Sequence, residues 1–456
     1  MQRRKIVRLA ALLVVVTVVA GGAWSVGAGP FPERIDRETA EQARSAWRDL
    51  IADLDDDVPA RACLVAFAEE ADPPVRRFAS SVFGPVAAVR GQVEDLRGWD
   101  FERHVEVDLV EPDVFDDRTA GELGTTDDQR AQLLLRAMDA IPRDGVLTEL
   151  TDEQRGFAGI YFFAGRGLVA AADPDEPEAR DRATIAHELG HALVDQRIGL
   201  PRTDLWPYSQ DADLRDAALT VVEGDAALVQ LRYWLHHVPI EQQLAAPQAL
   251  DPYAVDPDSP VFHLDQHLRL PYRIGLDRAC DAWLAGGMEA VDALHDDLPE
   301  TMHEAIFGAG PPTIEPPDPQ VPDDLDPLGD EPFGVGPLLT ALQAPGNDPN
   351  EGFDDAFERA QAWTGGTGWV WTDEDDPDAG TVAIVLTDGG TGSAPLCDTI
   401  RAWRTRAAPD ASESTDELGL VRRTADRTEL VRCDHDVVWF VAGPDRDTLA
   451  AIVEVG

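Results

Sequence analysis

The sequence predicts an α+β chain in two folded regions, on three observations. Helical apolar spacing recurs through the first 310 residues, interrupted by short strand-like runs. Residues 311–332 are dense in Pro and Asp and nearly devoid of large apolar side chains, as expected of a linker or extended surface segment. From residue 333 to the end, strands and short helices alternate, which reads as a small C-terminal α+β domain.

Taken in order, Arg3, Arg4, Lys5 and Arg8 precede an uncharged run from Leu9 to Pro32 whose first half is almost wholly aliphatic. This is the pattern of a signal peptide, with Val26-Gly27-Ala28 as a small-residue cleavage site, or of a single N-terminal membrane anchor. Both place the rest of the chain outside the cytoplasm, secreted or held at the outer face of the membrane. Residues 33–310 then form the first domain. Residues 37–70 read as helix, Val105–Val110 as a half-buried strand, and Thr126–Met138 as helix. Gly156–Ala170 reads as two short strands around a Gly-rich turn, followed by a turn at Asp173–Pro177 and a long helix. A second long helix covers 211–238 and a third helical stretch 276–307. After residue 333, a helix at Asp354–Trp363 and another at Cys397–Ala407 accompany strands at Thr381–Leu386 and Asp436–Val441.

The charge is extreme: 86 acidic against 38 basic residues, net −48, with Lys5 the single lysine. Such a surface stays solvated in high salt and repels phosphates, so nucleic acid is excluded as a partner. None of the four cysteines lies in a C-x-x-C pair, against a cysteine metal site. Outside the cell an even count permits two disulfides. Of the three pairings, Cys63–Cys280 with Cys397–Cys433 is the expectation, free buried thiols being the alternative.

The chemistry lies in the HExxH stretch His187–His191. Residues four apart on a helix share a face, so His187 and His191 can reach one metal ion. Glu188 is placed to contact a water on that metal rather than the metal, as a general base. Ile185, Ala186, Leu189, Ala192, Leu193 and Val194 surround the triplet, and a helix apolar all round is buried. Two imidazoles buried there without partners would cost several kcal/mol; a shared metal removes that cost. The third ligand is expected to be Glu223, the one strong ligand at the centre of the next apolar helix. It shares a face with Asp216, Thr220 and Gln230. Asp216 is a candidate to orient a ligand histidine, and Asp225, which points away, a candidate supporting partner. His236 and His237 lie too far along the helix to join the same ion.

These residues resemble the gluzincin group of zinc metallopeptidases, and more closely a set of extracellular bacterial zinc-peptidase-like proteins. The resembling segments are Gly156–Ala170, Ala186–Gln196, Val222–Ala226 and Leu270–Phe307. The resemblance implies a zincin-like fold, with a small mixed sheet over the active-site helix and substrate along an edge strand. It implies one zinc ion on His187, His191 and Glu223, Glu188 as base, and a protein or peptide as substrate. The best-known gluzincins carry an aspartate four residues after the third ligand; here that position is Ala227. Support for the ligands must then come from elsewhere, Asp216 and Asp225 being the candidates. A donor for the developing oxyanion is expected from Tyr272, with His263, His267 and Arg273 as alternatives. A scaffold that binds at the cell surface without cutting, and a zinc hydrolase of cell-wall amides, are the other functions these residues permit.

Overall fold

The computed structural model describes most of the chain from residue 60 to residue 453, except for 70–79, 120–128, 143–157, 164–166, 201–211 and some shorter stretches, with scattered positions between 45 and 58. The N-terminal signal or anchor segment lies outside the described residues. Among the described residues no helix is long and apolar enough to cross a membrane.

The first region begins with α1 (Arg61–Glu69), α2 (Ser80–Arg97) and β1 (Glu106–Val110), then α3 (Pro112–Thr119) and α4 (Gln129–Ala137). Strands β2 (Gly159–Phe162) and β3 (Gly167–Ala171) follow, then α5 (Ala179–Arg197), α6 (Ala212–His237), α7 (Ile240–Ala245), α8 (Phe262–Ala293) and α9 (Met302–Phe307). The strands make a three-stranded mixed sheet in the order β1-β3-β2. β3 is parallel to β1, with Asp108 opposite Val169, and antiparallel to β2, with Ile160 opposite Val169. Alternation sorts the two faces. Tyr161, Leu168 and Ala170 enter the main core with α5 and α6, and Val169 packs with Val110 and Phe115 behind the sheet.

The third long helix differs from the expectation of 276–307. α8 starts at Phe262, runs through Pro271, and kinks where Gly286 and Gly287 leave helical space, Gly287 at φ 68°. A proline inside a helix costs roughly 3 kcal/mol, and here burial of Leu264, Leu270, Leu276 and Ala279 offsets it. α8 lies against α6 so closely that a Cβ on Gly224 would overlap the carbonyl of Gly275, and one on Gly275 the carbonyl of Thr220.

The second region contains β4 (Asp326–Pro332), α10 (Val335–Gln343), α11 (Ala356–Ala360), β5 (Trp363–Asp373), β6 (Asp376–Asp388) and α12 (Leu396–Ala407). It ends with β7 (Ser412–Asp416), β8 (Gly419–Arg423), β9 (Thr428–Asp434), β10 (Val437–Gly443) and α13 (Arg446–Val453). The strands form a seven-stranded antiparallel sheet in the order β4-β5-β6-β10-β9-β8-β7. Val382, Ile384 and Leu386 point to one face, towards α10 and α12, while Ala383 and Val385 point to the other, towards α13.

Two expectations need correction here. The last part of the expected linker, residues 326–332, is strand β4. Among the described strands it pairs only with β5, so Pro327 and Pro332 remove no hydrogen bond from a second strand. The helix expected over 354–363 is confined to α11, because Trp363 already opens β5. Trp363 and Trp371 are buried and Trp369 packs against the core, so these tryptophans serve packing.

The two regions share apolar core. Leu133 and Leu134 of α4, Ala217 of α6, Leu270 of α8 and Met302 of α9 pack with Val335, Leu339 and Phe440. Arg404 of α12, fully buried, binds Glu429 and reaches back to Asp139. Both expected disulfides form: Cys63–Cys280 ties α1 to α8, and Cys397–Cys433 ties α12 to β9.

Candidate metal centre

The HExxH stretch lies on α5, whose first turn is closed by the Glu178 N–H donating to Asp181 Oδ2 at 2.8 Å. Residues Ile185 to Val194 are buried without interruption. His187, Glu188 and His191 are each only 6% exposed, so their polar atoms must be satisfied within the protein. α6 crosses beside α5, so near that a Cβ on Gly190 would be in van der Waals contact with Ala226, and brings Glu223, 5% exposed, to the same point.

Three ligand atoms from the two helices converge. His187 Nε2 is 3.1 Å from Glu223 Oε2 and 3.1 Å from His191 Nε2, and His191 Nε2 is 3.2 Å from Glu223 Oε2. Ligand atoms in tetrahedral array about 2.0–2.1 Å from a small divalent ion stand about 3.3 Å apart. The observed triangle is slightly tighter and has the same shape. Two imidazoles and one carboxylate in this arrangement could hold a metal ion. The two rings meet edge to face, at 84° between planes, so both Nε2 atoms reach one point without stacking.

Glu223 and His191 hold each other in the charged form. Burial alone would raise the Glu223 carboxyl and discharge the His191 ring. Their mutual attraction and hydrogen bonds outweigh burial, bringing Glu223 down to about 2 and His191 up to about 9. Glu188 stands apart from the triangle. Burial raises it above the usual carboxylate range, against the opposing pull of His187 and His191 and a hydrogen bond from the Tyr161 backbone N–H. Gly159, on edge strand β2, makes room for it: a Cβ there would lie 2.9 Å from Glu188 Cγ and 2.8 Å from Thr184 Cγ2.

The supporting residues differ from those expected. Asp216 faces His267, at 4.0 Å, and Arg215, at 3.4 Å, rather than a ligand histidine. Asp225 is a structural partner: it accepts from Arg97 at 2.9 Å and His295 at 3.0 Å, a buried cluster that locks α6 to α2 and to the chain beyond α8. The partner of His187 is Gln230, whose Oε1 is 3.1 Å from His187 Nδ1. Gln230 lies seven residues after Glu223, within about 20° of it around the helix. That shared face was visible in the sequence, but a neutral amide gave no reason to single it out. Tyr253, which carried no sequence signal, donates from its hydroxyl to the same Gln230 Oε1 at 3.1 Å.

Of the four oxyanion candidates, Tyr272 lies beside the site. Its ring stacks on His187 at 6.3 Å, and on its other flank it meets Tyr253 at 5.0 Å. His267 and His263 are about 140° and 180° from Tyr272 around α8. His267 faces Asp216, and the backbone N–H of His263 donates to Asn347 of the second region. Arg273 acts on Asp277, away from the three ligands. His236 and His237 also lie away from the ion site, His236 against Phe67 and His237 against Tyr233.

No protein-family model, curated protein or solved structure matches the chain, so its functional reading rests on these residues.

Proposed function

We propose that this chain is a secreted or membrane-anchored zinc metallopeptidase with a zincin-like core, in which His187, His191 and Glu223 hold one zinc ion and Glu188 is the general base. The observation that carries the reading is the meeting of three ligand atoms within 3.2 Å at a buried point, with a fourth side chain, the carboxyl of Glu188, alongside and belonging to none of the three pairs. Two imidazoles and a carboxylate suit zinc among the common divalent ions. The mixed sheet packed on α5, with β2 at its edge against Glu188, supports the zincin-like assignment. The basic-then-apolar N-terminus supports export, and the pairing of all four cysteines suits an oxidising compartment.

Zinc held by these residues supplies Lewis acidity, which makes water nucleophilic near neutral pH and polarises a carbonyl. An extended peptide adds to β2, the edge strand of the sheet, through backbone hydrogen bonds. Glu188 takes the proton of the attacking water and delivers it to the departing amine. Its burial keeps bulk water from competing for that proton. Tyr272, stacked on His187, is the side-chain donor for the developing oxyanion.

The test is casein hydrolysis by the purified protein with and without a chelator, beside Glu188→Gln. Loss of activity with chelator, and a drop of about 100-fold or more in the variant, is expected. Equal hydrolysis in all samples would remove the peptidase reading.

A further inference from the structure

We propose that Gln230, held in place by Tyr253, is the positioning residue that fixes the orientation of His187 and presents its Nε2 lone pair to the metal; this rests on the metal-site reading above. The geometry is specific. Glu223 and Gln230 are two turns apart on one face of α6 and grip opposite nitrogens of a single ring. Glu223 Oε2 lies 3.1 Å from Nε2, and Gln230 Oε1 lies 3.1 Å from Nδ1.

An amide oxygen only accepts hydrogen bonds. Its partner nitrogen must therefore carry a proton, so in the neutral ring Nε2 is the nitrogen that offers a lone pair. The same oxygen accepts the Tyr253 hydroxyl at 3.1 Å, so both of its lone pairs are engaged and the amide cannot turn without losing two bonds. The Tyr253 ring is in turn braced by Tyr272, whose ring lies over His187. His187 is thus enclosed by a closed chain of contacts: Gln230 at Nδ1, Tyr253 on Gln230, Tyr272 on Tyr253 and on His187 itself. The two side chains that act on Nδ1, Gln230 directly and Tyr253 through it, are both neutral. A carboxylate at Nδ1 would make the ring more basic; a neutral amide sets the tautomer without adding charge beside Glu188 and Glu223.

The experiment measures zinc affinity of the full chain at equilibrium, by competition with a chromophoric chelator. The samples are the unaltered protein, Gln230→Met, Gln230→Glu, Tyr253→Phe and His187→Ala. Methionine keeps the length and apolar volume of Gln230 but offers no comparable acceptor. Gln230→Met is expected to weaken zinc binding about 10- to 100-fold, with the metal-free protein still folded. Gln230→Glu restores the acceptor and is expected to bind zinc at least as tightly as the unaltered chain. Tyr253→Phe is expected to fall between the two, at a few-fold loss. A merely structural role for Gln230 predicts the opposite ordering, because a buried carboxylate destabilises more than methionine does. Zinc binding by Gln230→Met equal to that of the unaltered chain, while His187→Ala loses the ion, overturns this inference and leaves the metal site standing. If Gln230→Met does not fold, tight binding by Tyr253→Phe together with weakened binding by Gln230→Glu overturns it instead. An unaltered chain that takes up no zinc overturns both readings.

Discussion

Gly224 and Gly275 meet backbone to backbone: a methyl group on either would overlap a carbonyl of the facing helix. Gly224 follows the ligand Glu223, and Gly275 lies three residues after Tyr272, one turn of helix. The absence of two side chains thus sets how near the aromatic wall of α8 comes to the ligand helix α6. Gly275→Ala is expected to destabilise the fold by about 1–3 kcal/mol, read from urea unfolding, and to weaken metal binding by moving α8 and Tyr272 off the site. Alanine at Gly190, where the nearest atom of Ala226 is 3.5 Å from an ideal Cβ, is expected to be much milder.

Gly159 bears on chemistry rather than stability. A Cβ at this position of β2 meets Glu188 Cγ and Oε1 at 2.9 and 3.0 Å. Gly159→Ala is expected to displace the base and lower peptide hydrolysis by up to about 100-fold, with the metal content of the purified protein unchanged. Loss of metal in this variant would mean that β2 supports the ligands as well.

His263 gives the fold an acid-sensitive limb. Burial, with a smaller contribution from neighbouring His267, pushes it down to about 3. Its ordinary value is about 6.5. Between those values the unfolded chain binds the proton and the native chain does not, so stability falls as pH drops from about 6.5 towards 3. Above 6.5 both states are neutral and the group adds no pH dependence. Urea unfolding at pH 7 and pH 5 is expected to show a smaller loss for His263→Gln than for the unaltered chain, by up to about one proton in slope.

The two disulfides close loops of very different length, with sequence separations of 217 and 36. In the chain-entropy view the longer loop stabilises more, about 5 kcal/mol against about 4. The double variant Cys63→Ser with Cys280→Ser is expected to lower the thermal midpoint more than Cys397→Ser with Cys433→Ser. The first also releases α1 from α8 and is expected to loosen the metal site, whereas the second leaves the site intact.

The three side chains of the candidate metal centre were legible because each lies in a pattern that needs no tertiary information. Two histidines one helical turn apart on an unbroken apolar helix, and a glutamate central to the next, are anomalies that burial makes costly. What was not legible depends on neighbours. The helical stretch expected from residue 276 starts earlier, and α8 runs through Pro271 because packing on α6 outweighs the local cost. β4 is rich in Pro and Asp and reads as linker, since an edge strand with one bonded side needs few apolar residues. Gln230 and Tyr253 became meaningful only once α6 had placed an amide oxygen against His187 Nδ1. Asp216, carboxylate-bearing and on the face of Glu223, was the more obvious partner, but it sits nearly two turns before that ligand and faces α8.

Metal analysis of the purified chain tests the central claim most directly. The account predicts one zinc ion per chain, and its loss from both His187→Ala and His191→Ala while each variant remains folded. A folded chain that binds no divalent ion, or variants that retain the full complement, would contradict it.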